Sequence, residues 1–247
     1  MKTLLCVLTT ALCIVLTSVA YGAVTNVVLV HGAFVDGSGW KPVANILQRD
    51  GYTVYVVQEP ETSLEADVAA TRLVLDRAGP CVLVGHSYGG VLITEAGVHS
   101  AVKSLVYVAA FQPAPGESAA SLEDREPGLG VKSIVQVGGG YLQVDPKRFH
   151  QDFAADVPKS SAQFMAVSQV PITPAAFQGK VTESAWETKP SYAVVATHDR
   201  MINPDNERFM TRRAKSETIE LAGSHSVYIS RPKEVAALIE RAAKAAE

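Results

Sequence analysis

Apolar residues along this chain fall in short continuous runs, separated by stretches with a helical period. Asn26-Val27-Val28-Leu29-Val30, Thr53-Val54-Tyr55-Val56-Val57, Cys81-Val82-Leu83-Val84 and Leu105-Val106-Tyr107-Val108-Ala109 are rich in β-branched or aromatic side chains. All four predict strands, and the first, a continuous β-branched run, is expected to be buried on both faces, as in a parallel sheet. Helices are expected between them. One spans Ser38 to Leu47 and stops at Asp50-Gly51; one runs from a capping box, Thr62-Ser63-Leu64-Glu65, to Ala78; one runs from Gly90 to about His99. Alternating strands and helices with short loops predict a parallel sheet covered on both faces.

The rhythm breaks after Phe111. Residues 112–190 are proline-rich and hold no long buried strand. A hairpin is expected from Ile134-Val135-Gln136-Val137 through Gly138-Gly139-Gly140 to Tyr141-Leu142-Gln143-Val144. Asp145-Pro146 should cap a helix to Ala155, and Ser160–Ser168 reads as another. So long a segment between two strands of one sheet is expected to be a lid over an active site. Tyr192–Thr197 then reads as a fifth strand, Asn203-Pro204 to about Lys215 as a helix, Glu217–Leu221 as a sixth strand, and Arg231-Pro232 onward as a last helix. The expected organisation is an α/β core of residues 23–111 and 191–247, interrupted by a lid over 112–190.

The first 22 residues differ in kind. Lys2 is their one charge, Leu4–Leu16 is apolar, and Ser18-Val19-Ala20 or Ala20-Tyr21-Gly22 offers small residues for cleavage. This predicts a secretory signal peptide and a secreted or periplasmic product with no membrane span after its removal. Cys6 and Cys13 would leave with it, so Cys81 would remain alone and no intramolecular disulfide is expected. The chain has 247 residues and a formal charge of −3 without a basic run, which excludes an electrostatic footprint for nucleic acid. No paired-histidine helix motif or cysteine cluster points to a metal. Nothing in the sequence fixes the oligomeric state.

Candidate chemistry collects where the strands end, the place where open parallel sheets bind ligands. Gly85-His86-Ser87-Tyr88-Gly89 lies between the third strand and a helix. That context makes it a nucleophile elbow with Ser87 at the apex, and its tight turn requires residues without side chains at Gly85 and Gly89. A free hydroxyl is a poor nucleophile and needs a base. His225 follows the sixth strand and is the expected base; Asp199 follows the fifth and is expected to orient the imidazole. His31 and His86 lie inside the two motifs and read as structural, while Asp205 and Glu207 belong to the helix beyond Asp199. An oxyanion hole is expected from the backbone N–H groups of Tyr88 and Ala33. Phe34, Phe111, Phe153, Phe164, Met165, Phe177 and Trp186 are candidate linings of a substrate pocket.

Val28-Leu29-Val30-His31-Gly32-Ala33, Gly85-His86-Ser87-Tyr88-Gly89-Gly90, and Asp199 with His225 resemble the α/β-hydrolase superfamily. Within it the chain is similar to the branch of plant methylesterases, hydroxynitrile lyases and their bacterial esterase-like relatives. That resemblance implies a six-stranded parallel sheet, a lid after the fourth strand and no cofactor. The activity it implies is hydrolysis of a carboxylic ester of a small to medium apolar compound through Ser87, His225 and Asp199. A lactonase, a cofactor-free perhydrolase, a lyase and a non-catalytic small-molecule receptor are the alternatives. The lyases of the branch carry a lysine after the catalytic histidine and a hydroxyl residue after the first motif's histidine. Here those positions are Ser226 and Gly32, which the resemblance weighs against a lyase.

Overall fold

The structure is a computed structural model that describes residues 24–246. The expected signal peptide, residues 1–22, lies outside the described residues.

The chain opens with β1 (Asn26–Val30), α1 (Lys41–Arg49), β2 (Thr53–Val56), α2 (Leu64–Ala78), β3 (Cys81–Ser87), α3 (Gly89–Ala96) and β4 (Val102–Ala110). The inserted segment holds α4 (Ala119–Arg125), β5 (Ile134–Gln136), β6 (Leu142–Val144), α5 (Pro146–Asp152), α6 (Lys159–Val167) and α7 (Pro174–Gln178). The core resumes with β7 (Ser191–Ala196), α8 (Pro204–Arg213), β8 (Glu217–Leu221), α9 (Val227–Ser230) and α10 (Pro232–Lys244).

Six strands form one sheet in the order β2-β1-β3-β4-β7-β8, and every pairing is parallel. The insertion's own sheet is the antiparallel pair β5-β6, with Ile134 opposite Val144 and Gly138–Gly140 at the turn. Alternate residues of each central strand feed opposite faces. Val28, Val30 and Leu83 join a cluster with α2, α3 and the insertion, whereas Val27, Leu29, Val82 and Val84 pack against Trp40, Val43, Leu47, Leu238 and Ile239. The sheet therefore has apolar layers on both sides, which is why its central strands lack polar alternation.

Local signals shift some expected boundaries. Ser63, not Thr62, caps α2, its hydroxyl accepting from Ala66 N–H at 3.2 Å. Asp36 caps a short 3₁₀ turn ahead of α1, so Ser38 is inside the turn rather than its cap. α5 ends at Asp152, three residues before the expected Ala155, and α3 ends at Ala96. A reciprocal capping box does exist, between Ser118 and Ser121 on α4, a helix the sequence reading left unassigned.

Candidate active site

Three loops at the carboxyl ends of β3, β7 and β8 bring Ser87, Asp199 and His225 together. Ser87 occupies the left-handed region, with φ of 52°, between β3 and α3. A non-glycine residue holds that conformation only where its surroundings over-determine it. Glycines do so here. A Cβ on Gly85 would lie 2.5 Å from the Gly89 carbonyl; one on Gly89 would strike the His31 carbonyl, and one on Gly90 the Phe111 carbonyl. The loop after β1 is pressed equally close, since a Cβ on Gly32 would be 2.6 Å from Ser87 Cβ.

His225 is buried and bridges the other two. Its Nε2 is 2.8 Å from Ser87 Oγ, and its Nδ1 is 2.6 Å from Asp199 Oδ2. A carboxylate only accepts, so Nδ1 carries the proton and Nε2 is free to accept from the serine hydroxyl. Asp199 Oδ1 is engaged separately, accepting from Met201 N–H at 2.7 Å and Ile202 N–H at 3.0 Å. Both carboxylate oxygens are therefore occupied, and the carboxylate plane is fixed.

Burial shifts the buried neighbouring ionisable groups toward their neutral forms. His86 is buried under the imidazole, with ring centroids 4.7 Å apart, and its Nε2–H donates to the His225 carbonyl at 2.8 Å. Burial, then the nearby His225, pushes its pKa well below the usual histidine value. Burial alone brings His31 down to about 4. These two histidines support the motif loops, and His198 is exposed. Behind Asp199, Glu207 accepts from Ala196 N–H at 3.2 Å; burial, reinforced by the Asp199 charge, raises its carboxyl well above the usual range. Asp205 is exposed and pairs with Arg208 at 2.7 Å.

Among the described residues the Ala33 and Tyr88 N–H groups have no acceptor. The next amide, that of Phe34, is taken by Glu61 Oε2 at 3.4 Å, in a turn where Phe34 has φ of 68°. The Tyr88 hydroxyl is anchored on Asp67 Oδ2 at 2.9 Å. Burial raises the Asp67 carboxyl to about 6, against the opposing pull of that bond.

A small cavity of about 30 Å³ opens on Ser87 and His225. Phe34, Phe111, Phe153 and Phe177 line it as expected from sequence. Phe164, Met165 and Trp186 do not. Phe164 is 69% exposed and borders an outer groove with Met165, because α6 turns Ala162 and Ala166 inward instead. Trp186 is tethered elsewhere, its Nε1–H donating to the Pro113 carbonyl at 2.8 Å. The sequence reading missed Glu123, Val131, Ile134, Met201 and Ile202, which complete the lining. Met201 and Ile202 had a readable signal: they lie two and three residues after Asp199, in the loop beyond β7. Ser226 and Gly32 are spent structurally, the first donating to the Phe153 carbonyl at 3.0 Å and the second leaving no room for a side chain beside Ser87. Among the described residues no group of three metal-ligating side chains occurs, and no helix is long and apolar enough to cross a membrane.

The chain is similar to several known proteins. A pyrethroid hydrolase from Sphingobium wenxiniae is 27% identical over 252 residues, spanning 87% of this chain and 86% of its own length. A carbendazim hydrolyzing esterase from a Nocardioides species is 31% identical over 112 residues, which is 39% of this chain and 46% of that protein. The chain thus spans about half the length of that second relative. Among solved structures, a pyrethroid hydrolase from Sphingobium faniae superposes with a TM-score of 0.78 at 24% identity, covering 90% of this chain and 98% of the other. An Arabidopsis methylesterase superposes with a TM-score of 0.76 at 18% identity, covering 89% and 98%. The sequence profile of the alpha/beta hydrolase family matches residues 27–238, and the chain belongs to that family.

Proposed function

We propose that the protein is a serine esterase that cleaves a carboxylic ester of a small to medium apolar compound. The observation that carries this reading is the continuous hydrogen-bonded chain from Ser87 through His225 to Asp199 at the mouth of an apolar cavity. Ser87 Oγ attacks the ester carbonyl while His225 Nε2 takes its proton. Asp199 keeps the proton on Nδ1 and stabilises the imidazolium that forms. The free Ala33 and Tyr88 N–H groups receive the oxyanion, pre-oriented where charge develops. His225 returns its proton to the leaving alcohol, and water then repeats the sequence on the acyl-enzyme. The two curated relatives, a pyrethroid hydrolase and a carbendazim hydrolyzing esterase, support an ester-type carbonyl as the target.

The test is Ser87→Ala against a panel of p-nitrophenyl esters of increasing chain length. Ester turnover should fall by roughly a million-fold, leaving only the residual catalysis of the oxyanion donors. A serine-directed phosphonate should label Ser87 in the wild type and nothing in the variant. An alanine variant with more than a trace of activity, or labelling at another serine, overturns the assignment.

A further inference from the structure

Glu123 is the one carboxylate in a cavity otherwise walled by apolar side chains and by Ser87 and His225. It projects from α4, in the insertion, and its position is fixed. Its Oε1 accepts from Gly128 N–H at 2.6 Å. Gly128 is itself wedged against the Arg200 and Met201 carbonyls, where a Cβ could not fit, and the adjacent Pro127 bridges to Ile202 in the loop beyond Asp199. The second oxygen, Oε2, has no hydrogen-bond partner among the described residues, and it is not fully buried. An acid held so firmly by one oxygen leaves the other for a ligand.

Its place in the route to Ser87 adds to this. Glu123, Val131, Ile134 and Phe177 line both the inner cavity and a wider surface groove between α4, β5 and α7. Asp124 borders the same groove, and no basic side chain does. A molecule that enters by the groove meets two acids before it reaches the serine. Burial raises the Glu123 carboxyl to about 7, the Gly128 bond opposing and the Asp199 and Asp124 charges adding to the effect. A cation beside it would restore its charge.

Resting on the esterase reading, we propose that Glu123 is a specificity-determining residue that holds a protonated nitrogen of the substrate, so that the preferred esters carry a basic amine on the part directed toward the groove. A charge-assisted contact in a partly desolvated site changes affinity by about tenfold or more.

The test uses a matched pair, S-[2-(dimethylamino)ethyl] thiobutyrate and its carbon isostere S-(3-methylbutyl) thiobutyrate. Thiol release is followed at about pH 8, roughly one unit above the Glu123 value. Wild type should prefer the amine by about tenfold or more in kcat/KM. In Glu123→Gln, whose amide oxygen can still accept from Gly128 N–H, the ratio should collapse to about one, with the melting temperature checking the fold. Calorimetry of both compounds on Ser87→Ala, with and without Glu123→Gln, repeats the comparison without turnover. A wild-type ratio near one, or a ratio that Glu123→Gln does not move, overturns the proposal even when both esters are cleaved. Amine-selective binding that depends on Glu123, in a protein that cleaves neither ester, would keep the proposal and sink the esterase reading.

Discussion

Asp199→Asn isolates what the carboxylate contributes, because the substitution keeps shape and removes one acceptor. Asparagine has two ways to sit. With its oxygen toward Met201 and Ile202, it keeps the bonds of 2.7 and 3.0 Å and presents its NH₂ to His225 Nδ1, 2.6 Å away. With the amide reversed, the NH₂ faces two backbone donors that are buried, at about 1–3 kcal/mol for each orphaned group. The first arrangement therefore wins. Two donors cannot share one bond, so the imidazole moves its proton to Nε2. That nitrogen then faces Ser87 Oγ as a donor and can no longer take its proton. A wrong tautomer of this kind costs about four orders of magnitude in kcat, or roughly 5.4 kcal/mol of barrier. Stability should not follow, since the Asp199 charge is one cause of the raised carboxyls of Glu207 and Glu123 and its removal relieves both. The assay is p-nitrophenyl ester turnover beside thermal melting of the same samples. An asparagine variant that keeps more than about a tenth of wild-type kcat, or one whose lost activity tracks a lowered melting temperature, would refute the reasoning.

Asp156, at the end of the loop after α5, accepts from Ser224 N–H at 2.9 Å, from Ser230 Oγ at 2.6 Å and from Ser224 Oγ. Burial pushes its carboxyl up, but the bonds from Ser224 and Ser230 outweigh this and leave it below the usual range. A depressed carboxylate stabilises the fold above its unfolded pKa of about 4, and the contribution fades as pH falls through the folded value. Asp156→Ala should cost about 1 kcal/mol at neutral pH, allowing for solvent screening, and the difference in melting temperature from wild type should narrow as pH falls below about 4. Phe164→Ser should leave ester kcat/KM within about twofold of wild type, since an exposed side chain away from the site seldom matters by more than about 0.5 kcal/mol; a larger change would place Phe164 in the substrate route.

The inner strands β1, β3, β4 and β7 were legible because both of their faces are buried, so each run reads as apolar with little alternation; the edge strands β2 and β8 are partly exposed and were legible from their β-branched residues and their place in the β-α rhythm. The meeting of Ser87, Asp199 and His225 was legible because each lies at or shortly beyond the carboxyl end of a strand, where topology leaves little choice of position. The pocket was legible in part: Phe34, Phe111, Phe153 and Phe177 line the cavity, whereas Phe164, Met165 and Trp186 do not. The size of an aromatic residue says nothing about which way its side chain faces. On α6 the inward positions are Ala162 and Ala166, four residues apart, and the bulky Phe164 and Val167 point to solvent. Small residues let the helix approach closely and leave no apolar signal in a sequence. Glu123 escaped for the converse reason. A charge in a short helix beside a buried Leu122 reads as solvated, and only the Gly128 N–H, five residues on, shows that its carboxyl is held.

The insertion is a lid by position, but it is tied to the machinery it covers. On one side Gly130 N–H donates to the Arg200 carbonyl at 2.5 Å, and the Arg200 guanidinium reaches Asp152 Oδ1 at 2.9 Å, next to Asp199. On the other side Asp156 holds Ser224 and Ser230, and the Phe153 carbonyl accepts from Ser226 Oγ, around His225. A flap hinged at residues 112 and 190 would have to break all of these bonds to open, disturbing the neighbours of Asp199 and His225 as it did so. The groove between α4, β5 and α7 shares Glu123, Val131, Ile134 and Phe177 with the cavity at Ser87, and a substrate entering there would leave those bonds in place. Substitutions that reshape this groove can change which ester is admitted without disturbing the serine. Those at Asp152, Phe153 or Asp156 alter the pocket and the positions of Asp199 and His225 together.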